Sequence, residues 1–71
     1  MKIFINTFIG KILVFEVEPD DIIDSVKAKI QDQEGILSTR QWLNFGSERL
    51  NNERTLNDYN IREESILFLV Y

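Results

Sequence analysis

Few of the 71 residues carry side chains suited to covalent chemistry. The chain has no histidine and no cysteine, so neither a serine–histidine nor a cysteine–histidine pair can be assembled to activate a nucleophile. Ser25, Ser38, Ser47 and Ser65 stand without an evident base. The lack of cysteine also rules out disulfides and thiolate metal sites, and three glycines do not make a phosphate-cradling loop. The one concentration of ligand-type residues is acidic: Glu18, Asp20, Asp21 and Asp24. Their spacing is not that of a calcium-binding loop, and carboxylates gather ahead of helices because they complement the positive end of the helix dipole. The expectation is a chain that works by binding, with no catalytic residue, metal or cofactor.

Charge narrows the partners. With 8 basic and 12 acidic residues the net charge is −4, the wrong sign for counterion release from a nucleic-acid backbone. No apolar run approaches membrane-spanning length, and no signal-peptide pattern opens the chain. Nucleic acid and membrane are therefore not expected partners.

The elements that must position a binding surface follow from periodicity. "MKIFIN" alternates, with Met1, Ile3 and Ile5 on one face and Lys2, Phe4 and Asn6 on the other. "KILVFEV" alternates again, Leu13, Phe15 and Val17 against Ile12, Val14 and Glu16. Gly10 between them offers the φ freedom of a tight turn, so the two runs read as a β-hairpin. Pro19 ends the second strand. Asp21 is the expected helix N-cap, with Asp24 completing a weak capping box. Ile23, Val26 and Ile30 then recur at helical spacing, with Lys27 beside them and Lys29, Asp32 and Gln33 facing water. Gly35 closes the helix. "QWLNF" predicts a third strand with Leu43 inward and Trp42 and Asn44 outward, "ERL" a brief fourth, and "SILFLVY" the last. Between them "NNERTLNDYNI" reads as an ordered loop pinned by Leu56, Tyr59 and Ile61.

The predicted order is therefore ββαββ, an irregular loop, then β, all in one domain spanning residues 1–71. One helix must cover one face of a sheet built from all the strands. The predicted inward set is Met1, Ile3, Ile5, Leu13, Phe15, Val17, Ile23, Val26, Ile30, Leu43, Leu50, Leu56, Ile61, Leu67 and Leu69. Every member is apolar, which a 71-residue chain without disulfides requires of its core.

Together "MKIFINTFIGK", "FEVEPDD", "VKAKIQDQEGI", "LNFGSERL", "RTLNDYNIREES" and "LFLV" resemble ubiquitin, without a gap from Met1 to Tyr71. The resemblance implies an α+β β-grasp fold, a mixed five-stranded sheet packed on one α-helix. It is to a divergent ubiquitin homologue rather than to ubiquitin itself, of the kind found as ubiquitin-like copies in bacteria or viruses.

It also says where function should lie. The family acts through a C-terminal Gly-Gly tail, acceptor lysines and an apolar sheet patch. The sequence as given stops at Tyr71 without that tail, so conjugation is not expected of it; a tail beyond Tyr71 would restore the modifier role. Lys11, Lys27 and Lys29 stand at family lysine positions and are the possible isopeptide acceptors, while Asn6, Gln33, Glu48 and Glu63 replace other family lysines. The patch positions correspond to Phe8, Asn44, Phe68 and Val70, with Trp42 beside them. Asn44 replaces an apolar anchor with an amide that needs a partner when desolvated. Phe4, Ile12, Val14 and Ile66 extend this into a second apolar patch on the same sheet face.

The implied partners are ubiquitin-pathway proteins: activating enzymes, conjugating enzymes and receptors. A second copy of the chain is a further candidate, forming a weak homodimer through the apolar sheet face. The leading expectation is a non-enzymatic ubiquitin-like protein that mimics ubiquitin or interferes with the enzymes that handle it. The alternatives are an authentic modifier with a tail beyond Tyr71 and an adaptor domain of a longer protein. A eukaryotic member would work in cytoplasm or nucleus, whereas a microbial copy with a removed signal peptide would be secreted or periplasmic.

Overall fold

The alternation of the first seventeen residues closes as the predicted hairpin. In a computed structural model covering Met1–Tyr71, β1 (Lys2–Thr7) and β2 (Ile12–Glu16) pair antiparallel, in continuous register from Lys2 opposite Glu16 to Asn6 opposite Ile12. Gly10 sits at φ 87° in the connecting turn, a conformation that costs glycine nothing. Thr7 locks the same turn: its hydroxyl donates to the Lys11 carbonyl at 3.0 Å and accepts from the Lys11 N–H at 3.0 Å.

The helix α1 runs Ile23–Glu34 and ends at Gly35 in the left-handed conformation. Two short strands follow, β3 (Trp42–Phe45) and β4 (Glu48–Arg49), and β5 (Ile66–Val70) closes the chain. The sheet order is β2-β1-β5-β3-β4. The last strand is therefore the middle one, parallel to β1 and antiparallel to β3. A parallel neighbour cannot be reached by a tight turn, so the chain between β1 and β5 crosses over through α1, which covers one face. This is the mixed sheet on one helix expected of the β-grasp.

Fourteen apolar residues form the core: Ile3, Ile5, Leu13, Phe15, Val17, Ile23, Val26, Ile30, Leu43, Leu50, Leu56, Ile61, Leu67 and Leu69. All belong to the inward set read from periodicity. Met1 is half-buried against the edge of that cluster, and its amino group reaches the Val17 carbonyl at 2.7 Å.

The helix N-terminus differs from expectation. Asp21 does not cap it; the N-cap position is Ile22, without a side-chain hydrogen bond. The Asp21 carboxylate instead accepts from the Glu18 N–H at 2.9 Å, tightening the turn after Pro19. The orphan helix donors are met from the long loop. The Ile23 N–H donates to the Arg54 carbonyl at 2.9 Å, and the Asp24 N–H donates to the Asn52 carbonyl at 3.1 Å. Residues distant in sequence thus perform the capping that local pattern assigned to Asp21 and Asp24.

The loop is ordered by the same kind of bond. Thr55 and Asp58 cap each other: the Thr55 N–H donates to Asp58 Oδ2 at 3.0 Å and the Asp58 N–H donates to Thr55 Oγ1 at 3.1 Å. A short 3₁₀ turn, Asn57–Tyr59, follows, and the Tyr59 hydroxyl accepts from the Asn51 N–H at 2.8 Å. The bond from the Thr55 N–H holds the Asp58 carboxyl below its ordinary pKa. A carboxylate depressed in the folded state stabilises the fold above its unfolded pKa, and that contribution disappears as pH falls through the folded value. Asp58→Asn is therefore expected to lower stability at neutral pH and to flatten the acid limb of a pH–stability curve followed by urea unfolding.

Candidate functional site

The helix covers one face of the sheet; the other carries the residues expected to bind. Because side chains alternate along each strand, the register fixes the outer rows. Val14, Phe4 and Ile66 are consecutive across β2, β1 and β5, and Ile12, Asn6, Phe68, Asn44 and Arg49 are consecutive across all five strands. Val70 lies opposite Trp42 at the end of β5. Ile12, Val14, Trp42, Ile66, Phe68 and Val70 are exposed; Phe4, Asn6 and Asn44 are half-buried.

The fold therefore joins the two predicted patches on one surface. At about 4.8 Å per strand and 3.3 Å per residue, a five-by-five face spans roughly 400 Å². Asn6 and Asn44 interrupt its apolar residues on either side of Phe68, and each carries an amide that needs a hydrogen-bond partner wherever it is desolvated.

Three cation or aromatic contacts complete the face, none of them anticipated from sequence. The Arg49 guanidinium lies over the Trp42 ring, 4.4 Å from its centroid. Lys2 Nζ lies 5.6 Å from the centroid of Phe4. Phe8, in the hairpin turn, meets Tyr71 with ring centroids 5.0 Å apart, within the range of favourable tilted aromatic pairs. Arg49 was detectable only through strand pairing: β4 is two residues long, and its register against β3 puts Arg49 opposite Asn44.

The three lysines occupy unlike settings. Lys11 is exposed but paired: Nζ meets Glu34 Oε1 at 2.8 Å, and that bond holds the Glu34 carboxyl below its ordinary pKa. Lys27 is only 4% exposed, and its Nζ donates to Asn52 Oδ1 at 2.6 Å. Burial lowers its pKa, because a desolvated ammonium is less favourable than one in water. Modifying Lys27 would require the helix flank to open. Lys29 is exposed on the helix. Sequence reading also missed Gln41, which is buried and donates to the Lys27 and Ile36 carbonyls, both at 3.0 Å.

Elsewhere the surface gathers little. No three acidic side chains converge as metal ligands; Glu18, Asp20 and Asp21 precede the helix, and Asp24 lies in its first turn. A polar groove lies between β4 and the 51–60 loop, where Arg49 and Arg54 are balanced by Glu48 and Asp58. No helix is long and apolar enough to cross a membrane.

Known proteins are similar to this chain in sequence. The chain is 31% identical over 70 residues to the ubiquitin-like protein NEDD8 of Dictyostelium discoideum, covering 99% of this chain and 91% of that protein. It is 31% identical to the NEDD8-like protein RUB3 of Arabidopsis thaliana, covering 90% of its length. It is 41% identical to part of the AN1-type zinc finger protein 4 of Mus musculus, spanning 10% of that longer protein. The ubiquitin family profile matches residues 3–71. With the β-grasp sheet order and the outer apolar face, this establishes that the chain belongs to the ubiquitin family.

Proposed function

We propose that this domain is a non-enzymatic binding module whose outer sheet face engages proteins that handle ubiquitin-like chains. The observation that carries this reading is the placement of Phe4, Ile66, Phe68, Val70 and Trp42 on a single exposed surface, opposite a face sealed by α1. Aromatic residues of this kind anchor interfaces. The ubiquitin-like shape brings the domain to such enzymes and receptors, and the exchange of an apolar anchor for Asn44 changes which of them accept it. In its sharpest form the domain occupies ubiquitin-handling enzymes and interferes with them. Adding it in excess to an activating enzyme and ubiquitin should then slow ubiquitin charging; undiminished charging removes the interference reading.

A second reading has support from the NEDD8-like relatives, of which the chain spans about nine-tenths. In it the domain is a modifier attached through a tail beyond Tyr71. A charging reaction with the chain extended by the residues encoded after Tyr71 separates the two: a thioester on the activating enzyme favours the modifier, and its absence favours the binding module.

A further inference from the structure

The two edges of the sheet are unlike. β4 is two residues long, Glu48 and Arg49, both charged, which is how natural sheets discourage further pairing. β2 is five residues, Ile12–Glu16, with no proline, no internal lysine and a register unbroken by any bulge. Its exposed side chains include Ile12 at 61% and Val14 at 51%. An antiparallel strand with one solvated face ordinarily carries polar residues there.

The hairpin geometry fixes which backbone groups this edge presents. The Thr7 N–H donates to the Lys11 carbonyl at 2.9 Å, and the Val17 N–H donates to the Met1 carbonyl at 2.8 Å. Bonded and non-bonded pairs alternate along an antiparallel ladder, so Ile5–Leu13 and Ile3–Phe15 are the other bonded pairs. The N–H and C=O of Ile12, Val14 and Glu16 therefore point away from β1, and no strand lies beyond them.

We infer that this edge pairs with the same edge of a second copy, antiparallel, about a two-fold axis at Val14. Self-complementarity singles out that occupant. With Val14 opposite Val14 and Ile12 opposite Glu16 of the second copy, every one of these edge donors meets an acceptor. The same register extends the outer row from Ile66, Phe4 and Val14 directly into Val14, Phe4 and Ile66 of the other copy, without a polar residue between. Shifting by one bonded pair, to put Ile12 against Val14, leaves the Glu16 groups facing the hairpin turn and brings Asn6 into the row. In the favoured register no like charges stand opposite one another, and the two Glu16 side chains lie on opposite sides of the axis. Five-residue strand pairing buries less than a standard interface, so the dimer is weak and exchanges rapidly. The net charge of −4 on each copy makes it tighter as salt screens the repulsion.

This pairing uses the sheet edge and leaves the outer face open, so it stands apart from the partner reading. Amide hydrogen exchange on the ¹⁵N-labelled chain tests it. Raising the concentration from tens of micromolar to millimolar should slow exchange at Ile12, Val14 and Glu16 severalfold. The Leu13 and Phe15 amides, already bonded to β1, should not respond. Val14→Pro removes a donor at an edge position where proline is tolerated, and Val14→Lys places like charges on the axis. Each should abolish the concentration dependence with the chain still folded. Phe68→Lys, which alters the outer face on β5, should leave it intact. Concentration-independent exchange at all three amides, a strictly monomeric sedimentation profile at millimolar concentration, or loss of the effect in Phe68→Lys but not in Val14→Lys overturns the inference.

Discussion

Leu67→Ala is expected to lower the stability of this domain by about 2–5 kcal/mol, the usual cost of truncating a fully buried leucine. Leu67 has no exposed surface and lies opposite Ile5 on the strand that joins the two halves of the sheet. Deleting its methyl groups opens a cavity between the central strand and the rest of the core, which close packing on both sides prevents from collapsing fully. A domain of 71 residues has about 4–11 kcal/mol in total at the usual 0.05–0.15 kcal/mol per residue. The substitution therefore removes a large share of the margin, with no disulfide to compensate. Urea unfolding should show the midpoint falling by about a fifth or more with little change in slope; an unchanged midpoint would mean that β5 does not organise the core.

Phe68→Lys, one residue further along the same strand, should have the opposite profile. Phe68 is 46% exposed and stands between Asn6 and Asn44 at the centre of the outer face. Its replacement leaves the inner face untouched, so stability should change by less than about 1 kcal/mol. Binding should change much more. A central aromatic anchor contributes about 2–4 kcal/mol on truncation, equivalent to a 30- to 1,000-fold loss of affinity, and a lysine adds the cost of desolvating a charge. Calorimetric titration of the wild-type and substituted chains against one ubiquitin-binding partner gives that ratio directly. Equal affinities, with the chain still folded, would place the contact elsewhere.

The contrast between Leu67 and Phe68 shows why much of this protein is readable from sequence. Strands with one buried face impose a period of two, so the core residues of β1, β2 and β5 could be separated from their outward neighbours without coordinates. The helix stripe of Ile23, Val26 and Ile30 followed from its own period in the same way. What escaped depends on contacts between distant segments. Asp21 has the residue type of a cap, yet the donors it was expected to satisfy are taken by carbonyls of Asn52 and Arg54. The ion pair of Lys11 with Glu34 likewise joins the hairpin turn to the end of the helix. The burial of Lys27 and Gln41 depends on the 51–60 loop and the segment before β3, neither of which carries a periodic signal.

The site was legible in a similar proportion. Phe68 and Val70 alternate visibly with Leu67 and Leu69, and the family resemblance supplied the β-grasp order that sets Phe4 beside Ile66. The stack of Arg49 on Trp42 and the pairing of Phe8 with Tyr71 were not legible, because each joins residues that periodicity treats separately. The free edge of β2 was equally hidden. Which strand ends the sheet is a property of topology, and which amides face outward is a property of register.

The outer sheet face is the proposed meeting point of this domain and its partners. The most direct measurement is amide chemical-shift mapping of the ¹⁵N-labelled chain during titration with a ubiquitin-activating enzyme or a ubiquitin receptor. Perturbations should concentrate at Phe4, Asn6, Trp42, Asn44, Ile66, Phe68 and Val70 and leave the exposed side of α1, around Lys29 and Asp32, unmoved. Perturbations confined to the helix or to the polar groove beside Arg54 and Asp58, with the outer face silent, would contradict it.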